Sequence, residues 1–244
     1  MSTSTDMDQP KLSLVIPTYN ERGNIIQLID SIIENTQSIS TEIIIVDDSS
    51  PDGTSKIVSE YATKFPLVKL HTRERKMGLA GAVFLGSRIA SSEYVCVMDA
   101  DTSHDPKEIP QMFRLAQSGF DLVVGSRFVK GGSLGTQPFF RKMISVATNE
   151  VCRRLFKLNS KDVLTGYILC RRSVITGMPT HFSEKGFKFL LELLATRKNI
   201  SVCEWPIVFQ KRLDGNSKAS IIEVFALSKL CMRLLFHISL KRGG

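Results

Sequence analysis

Acids collect where apolar runs stop. Asp99-Ala100-Asp101 follows Tyr94-Val95-Cys96-Val97-Met98, and Asp47-Asp48 follows Ile43-Ile44-Ile45-Val46. Pro17-Thr18-Tyr19-Asn20-Glu21 closes the run from Leu12 to Ile16, and Gly125-Ser126-Arg127 closes Leu122-Val123-Val124. Carboxylates crowded together without a cation raise one another's pKa and cost stability, so a metal ion or basic ligand is expected among them. In a D-x-D placed after a strand, alternation sends residues i and i+2 the same way, so Asp99 and Asp101 can face one cation. Oxygen-only ligands suit Mg²⁺ or Mn²⁺, which bridge carboxylates to substrate phosphates. The plainer alternative is capping: Asp105-Pro106 starts a helical stretch, and Ser50 through Thr54 has the composition of a turn and cap. Capping does not account for two adjacent acids ending a β-branched run. An acid there can accept hydrogen bonds from a nucleobase or ribose.

The elements that must position these groups alternate. Strands are expected over 12–16, 43–46, 68–71, 94–98 and 122–124, because continuous β-branched runs of this length suit strands buried on both faces. Helical spacing occupies 24–34, 54–65, 79–90 and 106–117. Strand and helix in turn imply right-handed crossovers and an α/β fold: a Rossmann-like open, mostly parallel sheet flanked by helices, with ligands bound outside the carboxyl ends of its strands. Beyond Gly125 the pattern weakens. A helix is expected over 139–156, a loop over 162–166, a buried helix over 187–196, and one or two edge strands over 200–209, split by Pro206.

Composition narrows the chemistry. The 244 residues carry 32 Lys and Arg against 24 Asp and Glu, a surplus of +8 that favours anionic partners. The five cysteines are odd in number and scattered, which fits neither a disulfide framework nor a zinc site. The four histidines lack paired-ligand spacing. Met1 to Pro10 has no apolar core of the kind a signal peptide needs, and no run reaches the ~18 apolar residues of a membrane span. With neither G-x-G-x-x-G nor a Walker A sequence, a nicotinamide cofactor or P-loop is not expected. Nucleic acid ranks last among the anionic partners, since no nucleic-acid motif or aromatic ladder accompanies the charge.

The motifs I-P-T-Y-N-E (16–21), V-D-D-S-S-P-D-G-T (46–54), G-L-A-G-A (78–82), M-D-A-D (98–101) and G-S-R-F (125–128), in this order, resemble family 2 glycosyltransferases of GT-A fold. L-T-G (164–166), E-W-P-I-V-F (204–209) and R-L-D-G-N-S-K (212–218) narrow the resemblance to the polyprenyl-phosphate (dolichyl-phosphate) mannosyltransferases, catalytic subunit. It implies metal-dependent, inverting transfer of mannose from GDP-mannose to a polyprenyl phosphate at the cytoplasmic face of a membrane. The face would be that of the endoplasmic reticulum in a eukaryote and of the plasma membrane in a prokaryote. Pro17, Tyr19, Glu21, Asp47 and Asp48 then belong to the nucleotide pocket, and Asp99 and Asp101 to the metal. Arg212 and Lys218 belong to the donor diphosphate; Arg127, Arg141 and Ser217 to the acceptor phosphate. Asp101, Arg127 and Arg141 are the groups expected to act in the reaction itself. The chain departs from the family's T-G-S-F-R at Thr165-Gly166-Tyr167-Ile168-Leu169, which leaves Arg171 or Arg172 as a partial replacement. Two alternatives stand beside this: hexosyl transfer from a UDP-sugar to the same acceptor, and a silent adaptor that binds nucleotide sugar at a membrane.

Three segments are expected: a disordered tail over 1–10, the GT-A domain over 11–218, and a basic amphipathic helix over 219–244. In the last, Lys229, Arg233, His237 and Lys241 recur every four residues, a pattern suited to the interface of anionic lipids. Relatives of this kind often continue into transmembrane helices, so either such helices or a small transmembrane partner subunit is expected to supply an anchor.

Overall fold

The computed structural model describes residues 10–178, 188–210 and 221–240; Arg212, Ser217, Lys218 and Lys241 lie outside the described residues, as does the expected tail up to residue 9. The five expected strands form as β1 (Leu12–Thr18), β2 (Thr41–Asp47), β3 (Val68–Thr72), β4 (Tyr94–Val97) and β5 (Leu122–Ser126). They alternate with α1 (Ile25–Asn35), α2 (Thr54–Ala62), α3 (Leu79–Ile89) and, after a single 3-10 turn at Pro106–Glu108, α4 (Ile109–Gln117). The later half contributes α5 (Phe139–Leu155), β6 (Ile168–Arg171), α6 (Arg172–Thr176), α7 (Phe189–Thr196), β7 (Val202–Pro206) and α8 (Ile221–Leu240).

The seven strands lie in the order β3-β2-β1-β4-β6-β5-β7. β1 pairs in parallel with both β2 and β4, β2 with β3, and β5 with β7. β6, which the sequence pattern did not announce, runs antiparallel between β4 and β5. β7 is the edge expected from Pro206, its last residue.

Strand alternation sorts the core onto two faces. Leu12, Leu14 and Ile16 with Ile43 and Ile45 pack against α1, α2 and α4, whereas Val15, Ile44 and Val46 pack against α3. The second face also takes up Cys152 of α5, the whole apolar run of α7, and Leu227, Leu230, Cys231 and Leu234 of α8. Gly86 lets α3 seat closely: a Cβ there would stand 2.4 Å from Val15 Cγ1. Of the basic stripe expected along α8, the side chains of Arg233 and Lys229 are described, and those of His237 and Lys241 are not. Arg233 turns to the buried Glu192 of α7 at 2.9 Å, since a carboxylate taken out of water demands a partner. Lys229 stays exposed.

The amino ends of the strands are closed by polar groups. Glu42, 2% exposed, accepts Ser13 Oγ at 2.6 Å, Ser91 N–H at 2.7 Å and Ser91 Oγ at 2.6 Å, and pairs with Lys69. Burial pushes its carboxyl up, but Lys69 and the serine donors outweigh this and bring it from 4.5 to about 2. A depressed folded-state pKa contributes stability that is present above the unfolded value and lost as pH falls from 4.5 towards 2. Glu42→Gln should therefore lose stability at pH 7 and show a flatter decline below pH ~5 than the parent, as read by urea denaturation across pH.

Candidate active site

The carboxyl ends of β1, β2 and β4 open into a cleft of about 360 Å³ lined by Pro17, Tyr19, Glu21, Asp48, Asp99 and Asp101. Each of the three loops leaving those strands holds one non-glycine residue in the left-handed region: Asn20 (φ 62), Ser49 (φ 53) and Thr102 (φ 61). Such conformations cost on the order of 1–3 kcal/mol each and persist only where surrounding bonds over-determine them. Here those bonds are visible. Asn20 N–H donates to Ser50 Oγ at 2.9 Å, Ser49 Oγ donates to the Arg73 carbonyl, and Thr102 Oγ1 donates to the Asp101 carbonyl at 2.7 Å.

The two acids ending β2 divide their work. Asp47 is fully buried and accepts Thr18 Oγ1 at 2.9 Å, Ser50 N–H at 2.9 Å and the hydroxyls of Ser50 and Ser55, both at 2.6 Å. It ties β1 and the start of α2 together and is not among the described residues lining the cleft. Asp48 does line the cleft. It pairs with Arg73, the two side chains 6% and 5% exposed, and accepts Met77 N–H at 3.1 Å and Gly78 N–H at 2.9 Å. Arg73 Nη2 also donates to the Gly78 carbonyl at 2.6 Å, so one ion pair gathers the loop over 73–78. That loop sets Lys76 over the Tyr19 ring, 3.6 Å from its centroid, a cation–π contact at the cleft wall.

β4 ends at Val97, so Asp99 and Asp101 lie past the strand, and a bend rather than strand alternation brings both to the cleft. Asp101 is nearly buried; its Oδ1 accepts Ser103 N–H at 3.1 Å and Ser103 Oγ at 2.5 Å. The Asp99 carboxylate is 28% exposed. Its main-chain N–H donates to His104 Nδ1 at 3.2 Å, which puts the proton of a neutral imidazole on Nε2, 4.0 Å from Asp99 Oδ2. Burial pushes His104 below its usual range, against the opposing pull of Asp99 and Asp101. Among the described residues no three His, Cys, Asp or Glu side chains group to hold an ion by themselves. Two cleft-facing carboxylates fit Mg²⁺ or Mn²⁺, which usually take one or two carboxylates and complete their shell with substrate phosphate and water.

The cations are less gathered than the acids. Arg127 Nε and Nη2 donate to the two oxygens of Asp162 at 2.7 and 2.9 Å, and Asp162 is fully buried. Arg127 therefore meets any phosphate as one half of an ion pair. Arg141 stands in the first turn of α5, and neither arginine is among the described residues lining this cleft. Arg171 pairs with Glu93 and lies 3.7 Å from Asp121, while Arg172 donates to the Ala90 carbonyl at 3.0 Å. Arg171 is opposite Tyr94, the first residue of β4, so both arginines belong to the far end of the sheet and do not replace a cleft cation.

Residues 13–177 match the family described as Glycosyl transferase family 2. The chain belongs to that family. This family 2 glycosyltransferase is 38% identical over 227 residues to the Dolichol-phosphate mannosyltransferase of Pyrococcus furiosus, a match covering 92% of this chain and 64% of that relative. It spans just under two thirds of that relative's length. It is 36% identical over 216 residues to the Polyprenol monophosphomannose synthase of Mycolicibacterium smegmatis, covering 85% of this chain and 80% of the relative. Two solved structures share the fold. The mannosyltransferase PcManGT from Pyrobaculum calidifontis, in complex with GDP-Man and Mn²⁺, superposes with a TM-score of 0.60 at 18% identity, over 86% of this chain and 59% of that one. The glucosyl-3-phosphoglycerate synthase of Mycobacterium tuberculosis, with Mn²⁺, UDP-glucose and phosphoglyceric acid, gives 0.68 at 18% identity, over 93% and 79%.

Several groups in or behind this glycosyltransferase's cleft escaped sequence reasoning: Lys76 and Lys188 line it, while Arg73 and His104 hold the lining residues Asp48 and Asp99. The histidine carried one usable signal, its place three residues after a D-x-D; the loop cations carried none. Arg73→Ala would strand the buried Asp48 carboxylate, so unfolding free energy should fall by about 3–5 kcal/mol in urea denaturation.

Proposed function

We propose that this glycosyltransferase moves mannose from GDP-mannose to a polyprenyl (dolichyl) phosphate, inverting the sugar carbon, at a membrane surface. The observation that carries the proposal is the meeting of Asp99 and Asp101 with Pro17, Tyr19, Glu21 and Asp48 in one cleft at the carboxyl ends of parallel strands. The names of the two relatives, Dolichol-phosphate mannosyltransferase and Polyprenol monophosphomannose synthase, support mannose as the sugar and a polyprenyl phosphate as the acceptor.

In this scheme Tyr19, partly exposed, offers its ring to the nucleotide, and Glu21 and Asp48 accept hydrogen bonds from base or ribose. Asp99 and Asp101 would hold Mg²⁺ or Mn²⁺, which when bound supplies Lewis-acid neutralisation of the leaving diphosphate. The acceptor phosphate is already an anion, so the chain needs no strong general base. Arg127 and Arg141 are assigned to that phosphate, with Ser217 beside them. Arg212 and Lys218 are assigned to the donor diphosphate, and planar guanidinium forks suit contact with phosphate oxygens.

A lipid acceptor requires a membrane-facing surface, and α5 offers one. Phe139, Phe140, Met143 and Val151 are exposed along it, Phe139 by 77%, with Arg154, paired to Glu150 at 2.6 Å, also in solvent. Met232 and Phe236 of α8 are exposed as well. Apolar side chains flanked by cations are the composition of a helix lying in the headgroup region. No helix among the described residues is long and apolar enough to cross a membrane.

The deciding assay offers GDP-mannose, UDP-glucose and UDP-N-acetylglucosamine with a polyprenyl phosphate and Mn²⁺ or Mg²⁺. Mannosyl transfer is expected, and transfer from a UDP-sugar alone would replace the donor assignment. Asp101→Ala should abolish turnover while retaining the parent's circular dichroism. In flotation with anionic liposomes, Phe139→Ser combined with Phe140→Ser should release protein that the parent carries to the top of the gradient; unchanged flotation would remove α5 as the contact.

A further inference from the structure

Gly166 lines the cleft at the end of the loop that enters β6. Its φ is not among those in the left-handed region, so no turn requires glycine there. Space requires it instead. A Cβ on Gly166 would stand 2.8 Å from both carboxylate oxygens of Asp99 and 3.0 Å from its Cγ. All three contacts are to the free end of a side chain, so a methyl group at 166 is accommodated by turning the carboxylate rather than by moving backbone.

The surroundings of Asp99 leave the carboxylate as the group that yields. The main-chain N–H of Asp99 is held by His104 Nδ1 at 3.2 Å. His104 is 2% exposed and stacks on Tyr167, ring centroids 4.9 Å apart and planes 22° from parallel. Tyr167 is fully buried, with its hydroxyl donating to the Asp105 carbonyl at 3.0 Å and its N–H to Thr165 Oγ1 at 3.2 Å. The imidazole and the Asp99 backbone are thus fixed by the core.

We propose that Gly166 is a positioning residue for Asp99: the side chain it lacks is the space in which the Asp99 carboxylate is held in its cation-binding orientation, between the 166 backbone and His104. This rests on the assignment of Asp99 to a divalent cation made above. A larger residue at 166 displaces one metal ligand while leaving the nucleotide wall of Tyr19, Glu21 and Asp48 in place.

The test uses the full chain carrying Gly166→Ala. Mn²⁺ uptake is titrated by electron paramagnetic resonance at saturating GDP, and GDP alone is titrated by calorimetry. Mn²⁺ affinity should fall roughly 10- to 100-fold, the usual cost of disturbing a ligand's support. GDP affinity without metal should be unchanged, and the melting temperature should stay within about 2 °C of the parent. Mn²⁺ binding within twofold of the parent would overturn the proposal. Asp99→Asn separates the two levels: if it loses Mn²⁺ while Gly166→Ala does not, the positioning role alone falls. If Asp99→Asn also binds Mn²⁺ normally, the cation assignment of Asp99 falls and the inference with it. Should Gly166→Ala fail to fold, the same change is made together with Asp99→Ala. Recovery of folding supports the contact with the carboxylate, and continued failure overturns it.

Discussion

Every acid in the cleft arrives from the carboxyl end of a parallel strand, and the pairing of β1 with β2 on one side and β4 on the other aligns those ends. Thr18 lies opposite Asp47, and Val15 opposite Val97. Because side chains alternate, a slip of one residue in either pairing would turn Leu14, Ile16, Ile43 and Ile45 away from α1 and α2 and bury the wrong set on α3. The core thereby enforces a register that the site needs but does not itself pay for. The hydroxyl of Thr18 bonded to Asp47 adds a polar check on the same alignment.

The carboxylates around this alignment stand in three different settings. Asp47 is surrounded by hydroxyls and an amide and serves as a joint between β1 and α2. Asp48 has a guanidinium and two amides, so it can shape a loop while still presenting an edge to the cleft. Asp99 remains partly exposed, without an arginine or lysine partner among the described residues. Adjacent residues of one type are sorted into scaffold and site by the partners that the neighbouring loops bring.

Much of this was legible in the sequence. The runs at Leu12, Ile43, Tyr94 and Leu122 are continuous in apolar residues, buried on both faces and cut short by proline, acid or glycine, so strand and strand end could both be read. Asp48, Asp99 and Asp101 stand out at those ends, while the choice of Pro17, Tyr19 and Glu21 rests on the resemblance to family 2 glycosyltransferases. The rest depends on contacts that no local pattern records. β6 is no shorter than β4, but it passes straight into α6 with no acid or glycine to mark its end, and it exists because Ile168 and Leu169 are paired on both sides by residues about 45 to 75 positions away. Asp47 and Asp48 look alike in sequence; their partners separate their roles, Ser55 among those of Asp47 and Arg73, 25 residues on, among those of Asp48. Arg127 could be read as a cation, but not its bond to Asp162, which sits in a stretch that reads simply as loop.

The reversed direction of β6 has a consequence of its own. Had that strand run with its neighbours, the segment before it would emerge at the far end of the sheet. Running against them, it delivers Asp162 and Gly166 to the same end as the acids, four positions of one loop apart. One of these clasps the guanidinium beyond β5, and the other abuts the carboxylate beyond β4. A single short connection thus links the Arg127–Asp162 ion pair beyond β5 to the Asp99 carboxylate beyond β4, two strands away in the sheet and ~9–10 Å apart by strand spacing.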